Sequence, residues 1–133
     1  MSSSTDRPYS LRPGLRPLII LGAPRSGTKL LRSLLGRSRN CTTIPYGINH
    51  VWRLGCSPDA PDRRLSSDGT AQRARQIRSH LLDLAEAHDT PASGYLVEKT
   101  CANTLRVPFV GQILPDARFI HILRDGRDAA VSA

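Results

Sequence analysis

Between residues 18 and 30 the chain reads Leu-Ile-Ile-Leu-Gly-Ala-Pro-Arg-Ser-Gly-Thr-Lys-Leu, and this stretch limits the possible folds more than any other. Leu18, Ile19, Ile20 and Leu21 form a continuous apolar run between Pro17 and Gly22, the pattern of a strand buried on both faces. Turn chemistry follows, and then Leu30, Leu31, Leu34 and Leu35 recur at helical spacing. Strand, glycine-containing loop and helix in that order make an anion site. The first N–H groups of the helix lack internal partners and carry the positive end of its dipole. Gly22 and Gly27 permit close backbone approach, and Arg25 adds a full charge inside the loop. A phosphate or sulfate ligand is expected here; a glycine turn with an incidental Arg is the plainer alternative.

The spacing separates this loop from a nucleoside-triphosphate P-loop, G-x-x-x-x-G-K-[ST]. Gly22 and Gly27 have the right separation, but Thr28 falls where the Lys belongs and Lys29 where the magnesium-binding hydroxyl belongs. A Lys there repels a metal, so the loop is expected to handle its anion without a divalent ion. No metal site is expected.

The composition narrows the partners. The net charge of +8 is carried by 17 Arg and only 2 Lys, which favours anionic ligands. The Arg residues are scattered and no zinc-finger or RNP pattern appears, so nucleic acid is not expected. Cys41, Cys56 and Cys101 form no C-x-x-C pair and read as reduced thiols. The N-terminus lacks an apolar signal-peptide core, and no run reaches membrane-span length. A soluble, cytoplasmic protein is expected, with 133 residues making one domain or part of one. Its oligomeric state is not legible.

Taken in order, residues 1–16 read as a disordered arm, polar and rich in Ser, Pro and Arg. Gly36 stops the first helix, with Arg37 and Arg39 near its negative end. Residues 41–44 are a second strand candidate, and Ile48, Val51, Trp52 and Leu54 line one side of a short helix that also carries Asn49 and His50. A Pro-, Gly- and Asp-containing loop over residues 56–69 leads to a long helix over about 70–88, with Ala71, Ala74, Ile77, Leu81, Leu84 and Ala85 on one face. Residues 95–97 form the next strand, with Glu98 and Lys99 at its carboxyl end, the edge where open α/β sheets bind ligands. A helix starting near Arg106 carries Pro108 in its first turn, and residues 118–124 make the last strand. Strands alternating with helices predict a three-layer α/β/α domain around a parallel sheet. The chain ends about one turn into a further helix, as a C-terminally truncated domain would.

These residues resemble a known family. Gly22-Ala-Pro-Arg-Ser-Gly-Thr-Lys resembles the 5′-phosphosulfate loop of the sulfotransferases, and residues 118–133 resemble their 3′-phosphate motif, in which a strand-ending Arg and a Ser eight residues later clamp one phosphate. Arg124 and Ser132 have that separation. Glu98-Lys-Thr, Arg106-Val-Pro-Phe and Leu114-Pro-Asp-Ala-Arg-Phe look like the family's bacterial branch. The similarity covers residues 17–133, the N-terminal part of the family's P-loop-type domain.

The resemblance implies transfer of a sulfuryl group from 3′-phosphoadenosine 5′-phosphosulfate (PAPS), without metal, to a hydroxyl or amine on a small molecule, saccharide or peptide. By position, Ser26, Gly27, Thr28 and Lys29 would hold the 5′-phosphate. Arg25 would stabilise charge on the leaving oxygen, Lys99 would stand beside the sulfuryl group, and Arg124 with Ser132 would grip the 3′-phosphate. Two departures are visible: Lys29 replaces a hydroxyl residue, and the usual general-base positions hold Gly47 and Cys101. His50 and Glu98 are the substitute bases, with Glu98 alternatively pairing Lys99 or an Arg. A P-loop kinase, or a sulfotransferase-like binding module without activity, are the competing readings.

Overall fold

The computed structural model describes residues 9–88 and 93–127. Four parallel strands, β1 (Leu15–Leu21), β2 (Cys41–Thr43), β3 (Gly94–Lys99) and β4 (Arg118–His121), lie in the order β2-β3-β1-β4. Helix α1 (Thr28–Leu35) follows β1, α2 (Asn49–Trp52) and α3 (Ala71–Ala87) follow β2, and α4 (Val107–Ile113) joins β3 to β4. Short 3-10 turns occupy Ser66–Asp68 and Cys101–Leu105.

Alternation along β1 assigns its side chains to two cores. Leu15, Ile19 and Leu21 pack with Leu96, Trp52, Ile77, Leu81, Phe109 and Ile113 beneath α2, α3 and α4. Leu18 and Ile20 face the opposite way, with Val97, and meet Leu31 and Leu35 of α1. Helices therefore cover both faces of the sheet, the three-layer α/β/α arrangement read from the sequence. Each fully buried Leu, Ile or Phe contributes roughly 1.5–3 kcal/mol relative to exposure.

Several boundaries move. β1 begins at Leu15 and runs through Pro17, which sits where β3 alone flanks the strand because β4 joins at Leu18. The packed body reaches further back, into the stretch read as a loose arm. Leu11 is buried, and Ser10 is held by Asp116 through its N–H at 3.2 Å and through its hydroxyl. The apolar pair Leu11 and Leu15 supplies burial that the polar composition around it concealed. On α1 only Leu31 and Leu35 turn inward, leaving Leu30 and Leu34 exposed. β3 includes Glu98 and Lys99 rather than ending before them, and β4 stops at His121. Helical backbone begins at Gly126 and Arg127, and Ser132 lies outside the described residues.

Among the described residues no helix is long and apolar enough to cross a membrane.

Candidate functional site: a cationic cradle at the carboxyl edge of the sheet

The loop leaving β1 is shaped by contacts that its own sequence does not announce. Gly22 donates its N–H to the Thr104 hydroxyl at 2.9 Å, and that hydroxyl also reaches the Gly22 carbonyl at 3.3 Å. A Cβ on Gly22 would stand 2.7 Å from Thr28 Cγ2 and 2.8 Å from Ser26 Oγ, so glycine is required there by space. Ser26 is buried and its hydroxyl donates to the Ala23 carbonyl at 2.6 Å, closing the turn from within. Gly27 caps α1 at φ 99°, a left-handed geometry that favours glycine, and no side chain caps the helix. Its carbonyl accepts the first helical bond from Leu31 at 3.1 Å, so the amides of Thr28, Lys29 and Leu30 have no partner within the helix.

A cavity of about 410 Å³ opens over this helix end, lined by Pro24, Arg25, Gly27, Thr28, Lys29, Lys99 and Arg124. Lys99, the last residue of β3, projects to the α1 side of the sheet and is 8% exposed. Arg124, past the end of β4, donates from Nη1 to the Arg25 carbonyl at 2.7 Å. Arg25 is the only non-glycine residue with positive φ (67°) among the described residues. Four cationic side chains thus line one cavity whose described lining contains no carboxylate. Low-dielectric walls around a single sign of charge concentrate the field on an anion.

Of the residues singled out from the sequence, Arg25, Gly27, Thr28, Lys29, Lys99 and Arg124 come together here. Ser26 lies beneath the loop rather than in the lining, and His50 is exposed on α2 and is not among the lining residues. Gly47 stands beside the strand end: a Cβ there would meet the Thr100 hydroxyl at 3.9 Å and the Lys99 carbonyl at 4.0 Å. Motif reading passed over Thr104 and gave Arg106, the first residue of Arg106-Val-Pro-Phe, no role, because the partners of both are distant in sequence.

Glu98 points to the other face, paired in register with Ile19, and makes no ion pair with Lys99. It is 1% exposed and accepts hydrogen bonds from the Thr100 hydroxyl and from Asn103 Nδ2 at 3.0 Å. Burial pushes its carboxyl up to about 7, offset in part by Thr100, Trp52 and Arg106. From Asn103 the network continues to the fully buried Arg106, whose Nε donates to Asn103 Oδ1 at 2.8 Å. Arg106 Nη2 donates to Asn49 Oδ1 at 2.6 Å and its Nη1 to the Asp62 carbonyl at 3.3 Å. Ile48 N–H donates to the Thr100 hydroxyl at 3.0 Å. Glu98 therefore braces the α2 segment against the end of β3. It is buried away from the cavity and does not pair with Lys99. Of the partners read from the sequence it is an Arg, Arg106, that it meets, through Asn103 rather than directly.

The fold and its edge define an α/β protein that presents a cationic strand–loop–helix cradle at the carboxyl end of a parallel sheet. The profile of the sulfotransferase family matches residues 17–133, and the chain belongs to that family. It is 31% identical over 121 residues to protein-tyrosine sulfotransferase 1 of Danio rerio, a match covering 84% of this chain and 33% of that protein. The chain spans about a third of the length of this relative.

Proposed function

We propose that this chain forms the donor side of a sulfotransferase that uses PAPS and moves its sulfuryl group to an acceptor hydroxyl or amine. The observation that carries the reading is the convergence of Arg25, Lys29, Lys99 and Arg124 on one cavity at the N-terminus of α1. That donor set, rich in cations and free helix amides, suits a ligand bearing two phosphates and a sulfate.

In this reading the amides of Thr28 and Lys29 hold the 5′-phosphate, while the Ser26 hydroxyl keeps the loop in shape through Ala23. Arg25 is held against the oxygen between phosphate and sulfur, where charge develops. Lys99 stands by the sulfuryl group from the strand end. Arg124, with Ser132 from the following segment, grips the 3′-phosphate through its planar fork. When bound, the donor supplies the sulfuryl group: its S–O bond to phosphate breaks as the acceptor oxygen or nitrogen bonds to sulfur, leaving adenosine 3′,5′-bisphosphate. The acceptor proton passes to a base, for which His50 is the group this reading retains, since Glu98 is sealed behind the sheet. The relative's name points to a tyrosine hydroxyl in a protein as one acceptor to try first. A cytoplasmic setting is part of the same reading, in keeping with the free thiols of Cys41, Cys56 and Cys101.

The test is calorimetric titration with adenosine 3′,5′-bisphosphate in the absence of metal, beside ADP with and without magnesium. Metal-independent binding that prefers the bisphosphate and weakens at least tenfold in Arg124→Ala supports the reading. A magnesium requirement with indifference to Arg124 overturns it in favour of a nucleoside-triphosphate enzyme.

A further inference from the structure

A second cavity, of about 430 Å³, lies on the α2–α3 side and shares no lining residue with the first. Arg63, Arg64 and Arg73 line it together with Gly55, Cys56, Ser67, Asp68 and Thr70. The three guanidinium groups come from two separate stretches, the loop after α2 and the first turn of α3.

Arg64 and Arg73 are held in place, Arg63 is exposed at the rim, and none is neutralised. Arg64 is 8% exposed, donates from Nη1 to the Trp52 carbonyl at 3.0 Å and the Leu54 carbonyl at 3.3 Å, and lies over the Phe109 ring at 4.2 Å. Arg73 lies flat on the turn at Gly55, where φ is +82° and a Cβ would stand 1.7 Å from its Nη1. Its Nε is buried without a hydrogen-bond partner, and its Nη1 makes only a 3.4 Å contact with Gln76. Among the described residues none of the three has a carboxylate within ion-pair distance. Asp68 also lines the cavity, with its Oδ2 accepting the Leu65 N–H at 2.8 Å. Thr70 caps α3 by accepting from the Arg73 N–H at 3.2 Å.

Like charges gathered in a half-sheltered cavity repel one another, and a guanidinium removed from water without an acid partner is unfavourable. A bound anion removes both costs, and the Arg fork matches the spacing of oxygens on sulfur or phosphorus. We propose that this cavity is a second oxyanion site, taking a sulfate or phosphate group either as a free ion or as an ester on a larger molecule. The site stands on residues independent of the donor reading.

The experiment is titration of the whole chain with sodium sulfate and with glycerol 3-phosphate, first with the donor-side cavity filled by saturating adenosine 3′,5′-bisphosphate and then in Arg124→Ala. One equivalent of oxyanion is expected under either condition. Its affinity should fall at least tenfold in Arg63→Glu, an exposed position, and in Arg73→Ala, with bisphosphate binding unchanged. Tighter binding of the ester assigns an organic phosphate or sulfate, and equal binding assigns the free ion. No saturable binding, or binding indifferent to both substitutions, means an adventitious ion only and overturns the proposal. Loss of bisphosphate binding in the unaltered chain would instead count against the donor reading, which the Arg124→Ala arm keeps separate.

Discussion

Arg124 donates its Nη1 hydrogen to the backbone carbonyl of Arg25 at 2.7 Å, across 99 residues of chain. The contact links the segment after the last described strand to the one non-glycine residue with left-handed backbone among the described residues. In the donor reading, Arg124 thus both presents a fork to a phosphate and holds the loop that binds the other end of the ligand.

Replacing Arg124 by Ala should weaken bisphosphate binding about 10–100-fold, the range of a charge-assisted hydrogen bond of roughly 1.5–3 kcal/mol. Arg124→Lys keeps the charge but loses the planar fork, and should recover less than half of that lost free energy. Calorimetry on both variants checks this. A lysine variant that binds as tightly as the original shows that charge alone suffices.

Arg25 adopts φ 67°, which in a residue with a side chain is unfavourable by about 1–2 kcal/mol. Arg25→Gly relieves this but adds chain entropy to the unfolded state, about 0.5–1 kcal/mol in the other direction. The variant should keep or slightly raise the denaturation midpoint while binding bisphosphate at least tenfold more weakly. Stability and function then move in opposite senses at one residue. A large loss of stability would show that the side chain, not the backbone, holds the loop.

The order of elements and the cradle were legible because both depend on local patterns. The apolar run at Leu18, the glycine spacing and the helix start lie within thirteen consecutive residues. Of the α3 face read from periodicity, Ala74, Ile77, Leu81 and Ala85 are buried, Leu84 is half-buried and Ala71, in the first turn, is exposed. What stayed hidden depends on pairs distant in sequence. The Thr104 clamp on Gly22 spans 82 residues, and Ser10 meets Asp116 across 106. Glu98 was misread for a different reason. Adjacent strand residues face opposite sides, so a Glu-Lys dipeptide in a strand is not a pair.

Glu98 has its carboxyl raised from 4.5 to about 7, chiefly by burial. The native state then holds a proton that the unfolded chain has released between those values. Its contribution to stability is full below pH 4.5 and falls as pH rises toward 7, by about 3 kcal/mol at most. Asp62 is shifted the other way, held down first by its bond from Asn49, and it acts below pH 4, outside this window. Denaturant midpoints measured from pH 4.5 to 7.5 should slope downward in the original chain and flatten in Glu98→Gln. Equal slopes would mean that the carboxyl is ionised throughout.

The Thr104 hydroxyl accepts from one side of Gly22 and donates to the other. Thr104→Val removes both bonds with little change in volume. Leaving a part-buried N–H unpaired costs about 1–3 kcal/mol. Hydrogen exchange at Gly22 should accelerate in the variant, and bisphosphate binding should weaken although residue 104 lies outside the lining. Unchanged exchange would show that β1 and α1 alone set the loop.

Glu98 and Lys99 occupy successive positions on β3 and belong to different surroundings, one sealed under the α2 segment and the other open to the cavity. The strand works as a partition with a dry room on one side and a wet one on the other. Substitutions in the hidden network around Asn103 and Arg106 then act on cohesion while the charge facing the cavity stays as it is. The same wall lets residues on the cavity side change without unsettling what holds the sheet together.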